Sequence, residues 1–137
     1  MKLAFSTLGC PDFAWSDIYS MAKDFGFAGI EMRGLGDEIF SVKAKPFRPE
    51  NIDATVEHLH KRNLEICCLS SGCSLKYADR SEATIAELKD YIELARKLKT
   101  PYIRILGDEN AAVDGEVDDA VVLRLRMQGA ASAWLRL

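Results

Sequence analysis

Short apolar segments recur along the chain about every 35 residues, and each is followed by a longer segment with helical periodicity. The short segments begin near residues 2, 28, 64 and 101 and have the length and alternation of strands. Between them, apolar residues repeat at the spacing of one helix face. The three helical sets are Ile18, Met21, Ala22 and Phe25; Ile52, Val56 and Leu59; and Ile85, Leu88, Ile92 and Ala95. The pattern predicts alternating strands and helices, which is the arrangement of a parallel sheet with right-handed connections.

The number of these units limits the size of the fold. A closed barrel of eight strand–helix units needs about 250 residues, whereas this chain has 137. The predicted fold class is therefore α/β, with about four parallel βα repeats forming half of a TIM barrel over residues 1–110.

Residues 111–137 have a different pattern. No lysine occurs from Asp108 to the end of the chain. The apolar residues Val121, Val122, Leu123, Leu125 and Met127 would cover most of the circumference of a helix. We expect a helical tail, with its helix from about Val117 to Met127 and no fifth strand after it. Such a tail is typical of a truncated or altered carboxyl terminus. The alternative is a naturally short chain whose last helix covers an exposed sheet edge.

The second strand carries two charges within an apolar segment. The helix before it ends at Gly26, a residue type that adopts the left-handed conformation of a final turn. Strand periodicity then places Ile30 and Met32 on one face, whereas Glu31 and Arg33 share the other. Because burying unpaired charges costs several kcal/mol, we expect the charged face to line a polar cavity at the carboxyl end of a barrel. The alternative is a mutual Glu31–Arg33 ion pair on an edge strand.

Two other segments bear on a site. In the fourth strand, Tyr102–Leu106, Arg104 interrupts an aliphatic run and faces away from Ile103 and Ile105. Residues 37–48 form a connecting loop that is long for a compact domain. Such a loop either covers a ligand or is a tolerated insertion. The third strand is predicted at Leu64–Ser70, with a loop after it.

Metal-ligating residue types do not form a recognisable metal site. The cysteines are Cys10, Cys67, Cys68 and Cys73. They lack a second spaced pair, so they are interpreted as small buried residues; the alternative is that Cys10 or Cys73 is a reactive thiol at a site mouth. His58 and His60 lie two residues apart, whereas helical metal pairs are three or four apart. We expect both histidines on the surface.

Composition excludes several functional classes. Apolar residues make up 48% and charged residues 28% of the chain, as in ordinary globular domains. The net charge of −3 gives no indication of a positively charged surface that would bind nucleic acid or anionic membranes. Because no apolar run has the length of a membrane span or of a signal peptide, we expect a cytoplasmic protein without a membrane partner.

Four blocks of the sequence, in order and at family spacing, resemble a known family. The blocks are Leu3–Pro11, Gly29–Arg33, Leu64–Ser71 and Pro101–Gly107. They resemble the sugar-phosphate isomerase/epimerase family, whose members have the xylose-isomerase-like TIM barrel. The resemblance covers residues 1–110 and does not extend into the tail.

The resemblance implies a metal-dependent chemistry. In that family a divalent metal, often manganese, magnesium or zinc, is held by Glu, Asp, His and Glu from later strands, and proton transfer occurs next to a carbonyl. None of those positions exists in this chain, so we assign it no metal ligand and no catalytic residue. The matching half shapes the substrate pocket in the family. It implies four candidate residues for binding a sugar or sugar phosphate: Glu31, Arg33, Ser70 and Arg104.

Chemistry supports that division of roles. The arginines can bind anionic or hydroxyl-rich ligands through their donor forks, and Glu31 can accept hydrogen bonds from sugar hydroxyls. We therefore expect the amino-terminal half of a sugar-phosphate isomerase or epimerase that is inactive alone. The alternative is a non-catalytic ligand-binding or assembly subunit, which would bind no metal tightly. An apurinic-site endonuclease shares the barrel but needs a positive groove, which the net charge disfavours.

The geometry of a half barrel favours self-association. Its first and fourth strands have unpaired edges, which invite a partner. Two copies related by a two-fold axis restore eight strands if the first strand of each pairs with the fourth of the other. We expect such a homodimer to bury more than about 2,000 Å². The alternative is a monomer in which the apolar tail, residues 121–137, folds over the open face.

Overall fold

The computed structural model describes residues 1–74, 81–106 and 132–136. Its strands are β1 (Ala4–Ser6), β2 (Gly29–Met32), β3 (Glu65–Ser74), β4 (Tyr102–Leu106) and β5 (Ser132–Arg136). Its helices are α1 (Trp15–Asp24), α2 (Ile52–Lys61) and α3 (Ser81–Leu98). Short 3₁₀ helices occupy Thr7–Gly9, Ser41–Lys43 and Lys45–Phe47. None of the helices in this described part is long and apolar enough to cross a lipid bilayer.

The first four strands form a parallel sheet in chain order. β1 pairs with β2, β2 with β3 and β3 with β4, so the helices lie in the connections between neighbouring strands. In this register Ile30 lies opposite Phe5 on one side and Ile66 on the other. The predicted α/β fold of four parallel strands alternating with helices is therefore confirmed, and it corresponds to part of a TIM barrel.

The core lies between the sheet and the helices. It includes the aliphatic residues of β2 and β4 and apolar residues from all three helices. Its fully buried members are Ile18, Ala22, Ile30, Met32, Leu69, Ala95, Ile103 and Ile105. Burying one such aliphatic side chain contributes about 1.5–3 kcal/mol. Glu31 and Arg104 alternate with these residues and are half-buried, which confirms the predicted alternation of faces.

Gly26 closes α1 and directs the chain into β2. Its φ of +72° is the left-handed conformation that the sequence predicted. The Phe27 amide donates to the Ala22 carbonyl at 2.8 Å, a bond that closes the helix end. β2 begins three residues after Gly26, so this turn brings the charged strand directly beside β1.

β3 is longer than predicted. The sequence analysis ended it at Ser70, whereas the strand continues to Ser74 with a shift of register against β4. The Ser71 hydroxyl donates to the Arg104 carbonyl at 2.7 Å and accepts the Cys73 amide at 3.3 Å. These bonds replace regular strand pairing at the irregularity, which is why a sequence typical of a loop stays in the sheet.

A fifth strand completes the described sheet. β5 runs antiparallel to β4, with Trp134 opposite Arg104. The expectation that no strand follows β4 is therefore wrong, and a strand replaces the expected helical tail at Ser132–Arg136. Pairing with β4 explains it, because an unpaired strand edge leaves backbone donors and acceptors that another strand satisfies. The expected helix from Val117 to Met127 lies outside the described residues.

Candidate functional site

The sheet places Glu31, Ser70 and Arg104 on the face opposite the buried aliphatic residues of β2 and β4. In the strand register Glu31 lies opposite Cys68, and Ser70 lies opposite Arg104. Arg33 directly follows β2, at its carboxyl end. In a closed barrel this face forms the interior, and ligands bind at the carboxyl ends of the strands.

Ser70 connects Glu31 with Arg33. The buried Ser70 hydroxyl donates a hydrogen bond to Glu31 Oε1, and Arg33 Nη1 donates to the Ser70 carbonyl at 3.3 Å. The alternative of a mutual Glu31–Arg33 ion pair on an edge strand is wrong. β2 lies between β1 and β3, and the two charges are joined through Ser70 rather than to each other.

Arg104 is the fourth predicted residue and lies beside Ser70. Its backbone carbonyl accepts the Ser71 hydroxyl, which holds β4 against the irregular end of β3. Its half-buried guanidinium has no hydrogen bond or ion pair to any residue of the described part. The structure therefore brings Glu31, Arg33 and Ser70 into direct contact and leaves the Arg104 guanidinium available beside them.

Two buried hydroxyl groups fix the peptide that follows Arg33. The Thr7 hydroxyl accepts the Arg33 amide at 2.8 Å and donates to the Gly34 carbonyl at 3.1 Å. From the other side, the Gly34 amide donates to the Ser41 hydroxyl at 3.0 Å. Thr7 is 2% exposed and Ser41 is fully buried. The backbone of Arg33 is thus fixed before any ligand binds, which is a requirement for precise ligand placement.

The long connection after β2 is folded rather than open. It starts with a tight turn in which Leu35 and Glu38 exchange backbone hydrogen bonds of 2.8 and 3.1 Å. Gly34 directly precedes this turn and Gly36 lies within it. Their φ values are +75° and +57°. Two 3₁₀ helices follow, and Phe47 at their end is buried in the core. Residues 37–48 are therefore part of the packed framework that carries Ser41.

Two residues near Arg33, Glu87 and Tyr91, were not predicted from the sequence. Glu87 and Tyr91 lie one turn apart on α3. Tyr91 is 1% exposed, and burial raises the pKa of its hydroxyl, whereas a hydrogen bond with Ser41 and the Arg33 charge act in the opposite direction. The sequence pattern that could have indicated them is their four-residue spacing, which places both on one face of α3 beside its apolar residues.

Two of the four cysteines, Cys68 and Cys73, are buried as predicted, whereas Cys10 and Cys67 are half-buried. Burial raises the pKa of Cys68 to about 12 and that of Cys73 to about 11, and the nearby charges of Glu31 and Glu87 respectively add to this. Burial also raises the pKa of the half-buried Cys10. All three thiols are protonated at neutral pH, so the structure gives no support to the alternative of a reactive Cys10 or Cys73.

A groove in the described part of the chain lies away from these residues, between α1 and α2. It has a volume of about 490 Å³. It is lined by Trp15, Tyr19, Leu35, Lys45, Pro46, Asn51, Ala54, Thr55 and His58. Contrary to the surface position expected for it, His58 is half-buried, with its ring 4.5 Å from that of Tyr19. Its pKa is lowered by burial and by the charges of Arg62 and Lys61, so it is neutral at pH 7.

The residues that the structure describes do not fit a divalent metal. Within the described ranges, no three or more His, Cys, Asp or Glu side chains lie close enough to hold an ion. Glu31 is the single carboxylate among the four predicted site residues, and protein metal sites need several such ligands. The described part of this chain therefore does not form a metal site by itself.

Comparison with known proteins identifies the architecture. The family model for the xylose isomerase-like TIM barrel matches residues 19–131. Among solved structures, the chain is similar to the probable 3-DHS dehydratase AsbF, involved in petrobactin synthesis, from Bacillus anthracis, with 24% identity and a TM-score of 0.66. The match covers 85% of this chain and 42% of that one, so the chain spans about two fifths of its length. No curated protein matches the chain significantly.

Proposed function

Because the chain belongs to the family of xylose isomerase-like TIM barrels, we propose that it forms the substrate-binding half of an isomerase or epimerase for a sugar or sugar phosphate. The main support is the bond from Ser70 to Glu31, because Arg33 also donates to Ser70 and Arg104 lies opposite Ser70 in the strand register. These residues come from three neighbouring strands and meet at the end where barrel enzymes bind ligands. The site presents two cations, one carboxylate and one hydroxyl.

Each side chain has a distinct role in this proposal. Arg33 and Arg104 donate hydrogen bonds to phosphate, carbonyl or hydroxyl oxygens of the sugar. Glu31 accepts from a sugar hydroxyl, and Ser70 orients the Glu31 carboxylate. Proton transfer next to a carbonyl also needs a cation or metal on the carbonyl oxygen. We propose that in a complete family member this cation is a divalent metal (Mn, Mg or Zn) that other strands hold. We therefore expect the chain alone to bind sugar phosphates without turnover.

Binding of fructose 6-phosphate tests this function. We expect saturable binding to the purified chain, followed by NMR shifts of the Gly34 and Ser70 amides. Arg33→Gln and Arg104→Gln should each weaken it about tenfold, because each removes a charged donor to the ligand. The matched control is Arg96→Gln, which removes an exposed arginine in the last turn of α3, more than two turns beyond Glu87. Absence of saturable binding, or equal weakening by the control, would contradict the proposal.

We also propose that the chain forms a homodimer that closes the sheet. β5 occupies the edge of β4 that the sequence analysis left free, so direct pairing of β1 with β4 would have to displace it. The free edges of the described sheet are β1 and β5. With a two-fold axis along the barrel, β1 of one copy can pair antiparallel with β5 of the other. This pairing leaves neither edge strand of the sheet unpaired. Sedimentation at micromolar concentration should show the dimer mass; a single species at 15.3 kDa would refute it.

A further inference from the structure

Gly72 lies between two opposite charges at the carboxyl end of the sheet. It is an exposed residue of β3. A methyl group added to it would lie 3.9 Å from Arg33 Nη1 and 3.6 Å from Glu87 Oε1. Apart from the chain neighbours of Gly72, no other heavy atom of the described residues lies within 4 Å of that methyl position.

Arg33 and Glu87 each lie close to other residues of the framework. Arg33 Nη1 is engaged with the Ser70 carbonyl, and its backbone is fixed by Thr7. Glu87 projects from α3 close to Cys73 and Tyr91, and it influences the pKa of both. Neither charge forms an ion pair with another residue in the described ranges. A guanidinium and a carboxylate that both lie beside Gly72 offer complementary groups to one ligand.

We propose that the space above Gly72 is a subsite for a ligand that carries an anionic oxygen next to a hydroxyl group, with Glu87 as the specificity-determining residue. Arg33 binds the anionic oxygen, and Glu87 accepts the hydrogen bond of the adjacent hydroxyl. This inference rests on the proposed function and narrows its substrate class to phosphorylated polyols. The preference follows from electrostatics, because the Glu87 charge opposes an anion that brings no donor to offset it.

Gly72→Ala tests the subsite directly, because the added methyl group would occupy part of it. Contacts of 3.6 and 3.9 Å are ordinary van der Waals distances, and φ at Gly72 is not in the left-handed region, so the variant should fold normally. The probes are glycerol 3-phosphate, which carries hydroxyls, and methyl phosphate, which does not. We expect Gly72→Ala to weaken glycerol 3-phosphate binding at least about fivefold. The matched control is Gly9→Ala, since a methyl group there meets nothing within 4 Å and binding should not change.

Glu87→Gln tests the role of the charge. The wild-type chain should prefer glycerol 3-phosphate over methyl phosphate at least about fivefold, and the variant less than about twofold. Binding of methyl phosphate should become tighter in the variant, which a purely structural role of Glu87 does not predict. Unchanged affinity of Gly72→Ala for glycerol 3-phosphate, together with an unchanged preference in Glu87→Gln, would overturn the subsite. If Arg33→Gln still weakened fructose 6-phosphate binding in that case, the proposed function would stand. If the wild-type chain bound neither probe and no fructose 6-phosphate, both proposals would fail.

Discussion

Gly34→Ala should lower the free energy of unfolding by about 3 kcal/mol, which combines a conformational and a steric penalty. The φ of +75° at Gly34 disfavours any residue with a side chain. In addition, a methyl group there would lie 2.9 Å from both the Glu38 carbonyl oxygen and the Ile39 Cα. Both are backbone atoms of the same tight turn, so neither contact is relieved by a change of rotamer.

Gly36→Ala provides the matched control for this prediction. Its φ of +57° is also left-handed, but a methyl group there meets nothing within 4 Å. Only the conformational penalty remains, and the loss of stability should be about 1 kcal/mol. Urea unfolding followed by circular dichroism measures both variants. Equal losses for the two would show that the turn moves freely and does not fix the position of Arg33.

The second large effect is expected for Thr7→Val. This change keeps the shape of a buried side chain but removes its hydrogen bonds to the Arg33 amide and the Gly34 carbonyl. Two backbone groups then lose their partner, and we expect a loss of about 2–3 kcal/mol. Exchange of the Arg33 amide proton should accelerate, and the affinity for fructose 6-phosphate should fall with it, because the backbone of Arg33 is no longer held.

Thr100→Val is the control, because Thr100 is buried to a similar degree but its hydroxyl has no hydrogen-bond partner among the described residues. Removing an unsatisfied buried hydroxyl should leave stability unchanged or raise it. If Thr7→Val proved as mild as Thr100→Val, the hydroxyl of Thr7 would not be what holds the end of β2. The pair separates the loss of a hydroxyl from the loss of its hydrogen bonds.

Both predictions concern how firmly Arg33 is placed before a ligand arrives. Its position is set by a glycine turn after it and by hydroxyls from the segment after β1 and from the connection before α2. Ser70 then links it to Glu31 from the neighbouring strand. Such a site loses little conformational freedom on binding, which favours affinity for small ligands.

Much of the fold could be predicted from local pattern. The alternation of β2 and β4 placed Glu31 and Arg104 opposite the buried aliphatic residues, because side chains on a strand point to alternate faces whatever its neighbours are. Gly26 likewise marked the end of α1, since its left-handed conformation is a local property. The four parallel strands followed from the repeat of these local signals along the chain.

Tertiary structure alone decided which side chains meet. The registers shift between Ile30 and Glu31 and between Ser70 and Ser74, and no sequence pattern revealed either irregularity. They determine the neighbours of Ser70 and the length of β3. The antiparallel β5 was missed for a related reason, because a strand of five residues takes its stability from the edge it covers rather than from its own sequence. Glu87 and Tyr91 lie near Arg33 because of the way α3 packs. Contacts between distant segments depend on how whole elements pack and not on local periodicity.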